Sequence, residues 1–317
     1  MLIPDFKKEK LSIVMIDSGL GGLSICADIA ERMKQDSAFE KVFITYYNAW
    51  PAQNLGYNKL ASTEQRVCVF DNALAGAKAF HPDLILVACN TLSVLYPQTQ
   101  FSRNEQLPVM GIVDFGVALI LRHLNDAPNG QVIIFGTLTT IETGTHKALL
   151  MANGIASDRI VLQACDQLAT AIEDGPDTPV VNGMIQRFVG EAVSKLSDPK
   201  APVFAALCCT HYGYSRAAFE RELGTHLTAA AVLNPNAAMA TSLFSGKGSS
   251  SGGATKVDLD VVSRIVWSPE KLTVIADAIA PKSSATVEAL KNYRHLPDLF
   301  DIDACIAPGG AADGHTL

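Results

Sequence analysis

Two stretches of the chain end an apolar run in a cysteine followed by small hydrogen-bonding residues. Leu84 to Val94 reads LILVACNTLSV: Leu84 to Ala88 is unbroken apolar, and Cys89, Asn90, Thr91 and Ser93 follow directly. Later, Val203 to Leu207 (VFAAL) leads into Cys208, Cys209, Thr210 and His211. Such runs fit strands buried on both faces, and open α/β sheets bind ligands outside the carboxyl ends of their strands. The spacing therefore predicts that the two strand ends face each other across one site and present two thiols to it. A thiolate is the reactive form, and a helix N-terminus lowers a thiol pKa; both Cys89 and Cys209 are expected between a strand and a helix. Asp17 closes a third apolar run, Leu11 to Ile16, which a parallel sheet can set beside Cys89. His211 stands two residues after Cys209. A carboxylate or imidazole near a thiol can orient it or exchange its proton.

Other thiol chemistries fit the pattern less well. A phosphatase loop needs Cys-x5-Arg, and that position from Cys209 is Ser215, with Arg216 one too far. A cysteine hydrolase needs a histidine in contact with its thiol, and nothing local supplies one at Cys89. Cys208, Cys209 and His211 lack the ligand spacing and the fourth ligand of a zinc site. Cys208 alternates in direction with Cys209 and reads as packing. From the residues alone, two buried cysteines that merely end strands remain an equal alternative.

The elements that must position these groups alternate. Strands are expected over Leu11–Ile16, Val42–Tyr47, 84–88, Pro108–Val113, Gln131–Phe135, Ile160–Cys165, 203–207, Thr228–Leu233 and Val261–Trp267. Helices are expected between them, including Leu23 to about Lys34, Ser62–Phe80, Pro179–Leu196 and Pro269–Ile279. Asp114-Phe115-Gly116 reads as a turn before a helix to about Leu124. The Asp17-Ser18-Gly19-Leu20-Gly21-Gly22 turn can bring backbone N–H groups of a helix start close to a carboxylate or phosphate. It is neither a dinucleotide fingerprint nor a P-loop. Strict alternation gives an α/β class with mainly parallel sheets. The Gly/Ser-rich stretch 245–256 is expected to be a flexible loop and the tail after about 305 to be disordered.

A length of 317 residues suggests two domains. A net charge of −7 argues against nucleic acid or an anionic membrane as partner. No run has the shape of a signal peptide or the length of a membrane span, so the expected location is cytoplasmic. Seven cysteines, an odd count without C-x-x-C, argue against a disulfide framework.

IDSGLGGLS (Ile16 to Ser24), ACNT (Ala88 to Thr91) and CTHY (Cys209 to Tyr212) resemble the three signature motifs of glutamate racemase, in the aspartate/glutamate racemase superfamily. Weaker likenesses lie between them, at Gly136-Thr137 with Thr140-Ile141 and at Ala164-Cys165 with Ile172-Glu173, and IVWSPEKL resembles the family's closing strand and helix. The resemblance implies two similar α/β domains with the site in the cleft between them: residues 1–112 plus 215–317, and 113–214. It implies an isomerase acting without cofactor or metal on a small amino acid, supplying D-glutamate for peptidoglycan, with room for a homodimer. Cys89 and Cys209 would be the two acid–base groups on opposite faces of Cα. Asp17 would assist at Cys89, with Glu173 and His211 on the Cys209 side. Asp17, Ser18, Asn90, Thr91, Thr210 and His211 would hold the substrate's amino and carboxylate groups.

The chain departs from the family pattern where the substrate side chain is held. Asn48 stands for an aspartate, and Asn54-Leu55-Gly56 for Pro-Tyr-Gly, so Leu55 and Gly56 take that role. Cys208 stands for a glycine, Gly213 for a proline, and Asp114-Phe115-Gly116 for a proline-containing turn. Glutamate is the first substrate expected. Aspartate, broader amino-acid racemisation, or a non-catalytic amino-acid-binding protein on the same fold are the alternatives.

Overall fold

The computed structural model describes residues 8–35, 39–242 and 254–306. In chain order its strands are β1 (Lys10–Asp17), β2 (Lys41–Asn48), β3 (Leu84–Val87), β4 (Val109–Gly111), β5 (Gln131–Gly136), β6 (Ile160–Ala164), β7 (Val203–Cys208), β8 (Ala230–Leu233), β9 (Lys256–Ser263) and β10 (Arg294–His295). They form a six-stranded sheet, β10-β9-β2-β1-β3-β4, and a four-stranded sheet, β6-β5-β7-β8. Every pairing between these strands is parallel, as the alternation of elements requires.

Strand composition explains the layering. All of β3 and β5 is buried, as expected of strands covered on both faces. Successive side chains of β1 point to opposite sides. Ile13 and Met15 pack with Leu23, Ile29 and Met33 of the helix Leu23–Gln35. Val14 and Ile16 pack with Val69, Phe70 and Leu74 of the helix Thr63–Ala77. Ser62 caps that second helix by accepting from the Gln65 N–H at 3.3 Å. In the smaller sheet Ile133 and Phe135 face one helical layer. Val132 and Ile134 face the core shared with the larger sheet.

Several expectations are corrected. Asp114, Phe115 and Gly116 form no turn; they lie within the helix Ile112–Asp126, whose buried face continues through Val117, Ile120 and Leu124. The chain leaves the smaller sheet later than residue 215. The helix Arg216–His226 packs on the helix Pro179–Val193, and β8 pairs with β7. Residues 215–233 therefore belong with the middle of the chain. Strand β9 begins at Lys256 rather than Val261, because Val257, Leu259 and Val261 alternate inward past Asp258 and Asp260. It stops at Ser263, whose Oγ accepts from the Ile265 N–H at 3.1 Å. Of the expected loop 245–256, residues 245–253 lie outside the described residues, as do residues 307–317 of the expected tail. Thr255 is buried, its Oγ1 donating to the Phe39 carbonyl at 2.6 Å. No helix among the described residues is long and apolar enough to cross a membrane.

Cys68 and Cys305 form a disulfide between residues 237 apart in sequence. Their spacing gave no sign of it, since only the fold brings them together. The cross-link pins the segment after Leu296 to the helix Thr63–Ala77. There Phe300 stacks on Tyr47, and the Tyr47 hydroxyl donates to the Leu299 carbonyl at 3.1 Å. Cys68→Ser or Cys305→Ser should lower the thermal midpoint by about 4–8 °C without reductant, and reductant should bring the wild type to the same value. A midpoint indifferent to both changes would mean that packing alone holds this segment.

Candidate active site

Parallel pairing aligns the strand ends that matter. Asp17 of β1 is in register with Asn48 of β2, which is in register with Ser263 of β9. Asn48 ties this edge together: its amide donates to the Gly19 carbonyl at 2.9 Å and its oxygen accepts from Ser263 Oγ at 3.0 Å. The residue that departs from the family's aspartate thus serves a buried structural network.

Just beyond these ends, both sheets open on one cavity of about 300 Å³. Ser18 and Gly19 after β1, Trp50 after β2, Cys89 after β3 and Ile265 after β9 line it from one side. Thr137 after β5, Cys165 after β6 and Cys209 after β7 line it from the other. Its size and mixture of apolar walls with a few convergent polar groups are those of a small-molecule site. Hydroxyl contacts bind the two sides: Thr91 Oγ1 lies 2.8 Å from Thr137 Oγ1 and 3.4 Å from Thr140 Oγ1. Close approach also requires glycine. A Cβ on Gly19 would stand 2.8 Å from His211 Cε1 and 2.9 Å from Glu173 Oε1.

Both thiols face this space and are nearly buried, Cys89 at 5% and Cys209 at 6% exposure. Their surroundings differ. Ser18 Oγ lies 3.1 Å from Cys89 Sγ. Burial, reinforced by the charge of Asp17, pushes the Cys89 thiol up to about 12. This corrects the expected lowering by a helix start: Cys89 does precede the helix Asn90–Leu95, but desolvation of the thiolate outweighs the helix. Cys209 precedes a 3-10 turn, Thr210–Ser215, and no α-helix begins until Arg216. Its partner is His211, whose Nδ1 lies 3.7 Å from Cys209 Sγ and whose Nε2 lies 2.8 Å from Glu173 Oε1.

Glu173 also receives the Leu20 N–H at 3.2 Å and Lys271 Nζ at 3.1 Å. Burial opposes its charge, but His211 and Lys271 outweigh burial and hold the carboxyl down at about 2. Burial likewise opposes an imidazolium, yet Cys209 and Glu173 raise His211 well above the ordinary histidine range. The Cys209 side thus carries a charged dyad, and the Cys89 side a hydroxyl.

The structure brings Cys89, Cys209, Ser18, Asn90, Thr91, Thr210, His211, Glu173 and Gly56 to the cavity lining. Both polar side-chain atoms of Asn90 are buried without a partner among the described residues. Asp17 and Leu55 are not in the lining. Asp17 is wholly buried beneath the turn: one oxygen accepts from the Gly19 N–H at 2.8 Å, and burial raises its carboxyl. Leu55 instead bridges back to Ala52 through backbone N–H and carbonyl at 3.0 and 3.3 Å. The sequence reading missed Trp50, Trp267, Lys271 and the third lining thiol, Cys165. Trp50, Cys165 and Trp267 follow β2, β6 and β9, so the rule that drew attention to Cys89 would have found these three once every strand end was placed; Lys271 lies farther on, within the helix Pro269–Ile279.

No family model matches the chain. Glutamate racemase of Campylobacter jejuni is 26% identical over 203 residues, 64% of this chain and 73% of the relative. That of Paracoccus denitrificans is 28% identical over 234 residues, 69% and 79% of the two chains. Glutamate racemase of Francisella tularensis, solved in complex with D-glutamate, superposes with a TM-score of 0.64 at 17% identity, covering 93% of this chain and 99% of that one. The chain is similar in sequence to glutamate racemases and shares their fold. The superfamily likeness covers both sheets, and the three motifs that carry it converge on the cavity just described.

The dyad makes stability pH-dependent in a defined window. Glu173 is held below its ordinary 4.5, so its contribution is present above 4.5 and lost as pH falls toward 2. His211 is raised above 6.5, so its contribution is complete below 6.5 and fades as pH climbs through the raised value. In urea unfolding, Glu173→Gln should cost most between about pH 4.5 and 6.5, with the gap to wild type closing toward pH 2. A gap that stayed constant from pH 6.5 down to pH 2 would remove the charged dyad.

Proposed function

We propose that the chain is a cofactor-independent amino-acid racemase, acting on glutamate, in which Cys89 and Cys209 exchange the Cα proton from opposite sides. The observation that carries this reading is that buried thiols from two different sheets line one small cavity, each with its own polar neighbour. The named relatives and the Francisella tularensis complex with D-glutamate support the substrate. D-Glutamate for peptidoglycan, made in the cytoplasm, is the role that the likeness implies.

In one direction Cys209 as thiolate takes the Cα proton, and Cys89 as thiol delivers one to the other face, ending as thiolate. The reverse reaction exchanges these roles. High in the free protein, Cys89 suits the donor at the start of such a cycle. His211, oriented by Glu173 and carrying its own proton, stabilises the Cys209 thiolate that accepts the Cα proton. Ser18 steadies Cys89, and Asp17 acts from below through its charge. The α-proton is far less acidic than a thiol, so pre-placed donors and exclusion of water must lower most of the barrier. Asn90, Thr91 and Thr210 are the donors at hand, and Ser18 adds a hydroxyl.

Broader specificity is the second reading, and one observation favours it. Trp50 packs on Gly56, where a Cβ would meet its ring at 2.7 Å, and Trp50, Trp267, Ile265 and Val266 line the cavity together. This wall replaces the loop that holds the distal carboxylate in the family. Both readings meet the same test. A chiral assay without added cofactor should show wild type interconverting L- and D-glutamate. Cys89→Ala and Cys209→Ala should each lose about 10³-fold or more, the scale of a removed acid–base group, with the thermal midpoint kept. A variant that retained substantial activity would remove the two-base assignment. In an amino-acid panel, glutamate should be preferred less strictly than the family pattern implies; inertness toward every amino acid would leave only a binding protein.

A further inference from the structure

We infer that Lys271 is a positioning residue for the Cys209 half of the site: it pairs with Glu173 across the cleft and so fixes the carboxylate that orients His211 against Cys209. The inference rests on the proposed proton exchange at Cys209. No motif assigned Lys271 a role, and its place in the fold singles it out. It comes from the helix Pro269–Ile279, which follows β9 of the larger sheet. Glu173 comes from the helix Leu168–Asp174, which follows β6 of the smaller one. The two helices pack together, and Lys271 lines the cavity between them.

Glu173 has two oxygens and three donors. Oε1 receives His211 Nε2 and the Leu20 N–H, while the only partner found for Oε2 among the described residues is Lys271 Nζ, at 3.1 Å. Asp174 adds a second contact to the same ammonium at 3.4 Å. The Glu173 side chain is 8% exposed, so losing Lys271 leaves a buried carboxylate oxygen unpaired. It also frees the carboxylate to rotate. That matters because His211 is held at both ring nitrogens, and the Glu173 contact sets where Nδ1 points. The Lys271 backbone is itself fixed, its N–H donating to the capping Ser268 Oγ at 3.3 Å.

The charge argument has a definite sign. The groups that act on Glu173 and His211 are Lys271 and Asp174 at the rim, Cys209 and Asp17 from the strand ends, and Tyr214 from the turn beyond. Lys271 is the one lysine or arginine among them. Without it, Glu173 titrates closer to its ordinary 4.5, and the dyad breaks at higher pH.

The test compares Lys271→Met with Lys271→Arg in the full chain. Lys271→Met keeps the apolar stem and should lower kcat by roughly 10–100-fold, the loss typical of partners that orient a functional group. It should also raise the acid limb of the kcat/KM profile by about one pH unit. The two enantiomers are equal in free energy, so kcat/KM must change alike in both directions; an apparent one-sided change would be an assay artefact. Lys271→Arg keeps the charge and should restore most of the rate and the wild-type limb. Histidine-selective NMR gives a readout without turnover: the acid inflection of His211, which reports Glu173, should move up in Lys271→Met. If wild type racemises no amino acid, the functional proposal fails, yet the NMR titration still decides this one. A pH profile and His211 titration unchanged in Lys271→Met, or an arginine variant as impaired as the methionine one, would overturn the inference.

Discussion

Two sulfur atoms kept nearly dry on one cavity, each supplied by a different parallel sheet, are the constraint on which the rest depends. Thiols at strand ends can be placed rigidly, because strand register fixes their height and the turns that follow fix their direction. A parallel sheet sends all its carboxyl ends to one edge. Two such sheets meeting edge to edge give a cleft with chemistry on both walls. Gly19 lets the β1 turn touch His211 and Glu173, and Thr91 meets Thr137 and Thr140 across the gap.

The walls are not equivalent. On the Cys89 side the thiol has a neutral hydroxyl partner, and burial and Asp17 keep it protonated. On the Cys209 side an ion-paired histidine stands beside the sulfur, held by a carboxylate with donors from both halves of the molecule. The proposed exchange, between mirror-image end points of equal free energy, does not need identical groups. It needs one side able to give a proton while the other takes one, and unlike surroundings define which is which at rest.

Much of this was legible in the chain. The apolar runs ending at Asp17, Cys89 and Cys209 gave the strands, their parallel class and the pair of thiols, because burial on both faces leaves an unambiguous composition. The place of His211 beside Cys209 followed from spacing, whereas the roles of Asn90, Thr91 and Thr210 came only from the resemblance to glutamate racemase. What failed to show depended on distant contact. The disulfide between Cys68 and Cys305 joins surfaces that only folding brings together. Strand β9 was placed late because Asp258 and Asp260 interrupt its apolar pattern. The last strand of the smaller sheet, β8, has two exposed alanines and gave no sign of which sheet it joins. Lys271 stayed hidden because an ion pair between two helices leaves no trace in local spacing.

Racemisation of L-glutamate in deuterium oxide, stopped early and analysed for each enantiomer, tests the two-sulfur arrangement most directly. A proton removed on one face and a deuteron delivered on the other should yield D-glutamate labelled at Cα while the remaining L-glutamate stays unlabelled. Label entering the unreacted L-glutamate as fast as product forms, or product retaining its original hydrogen, would mean that one group serves both faces and would contradict the account.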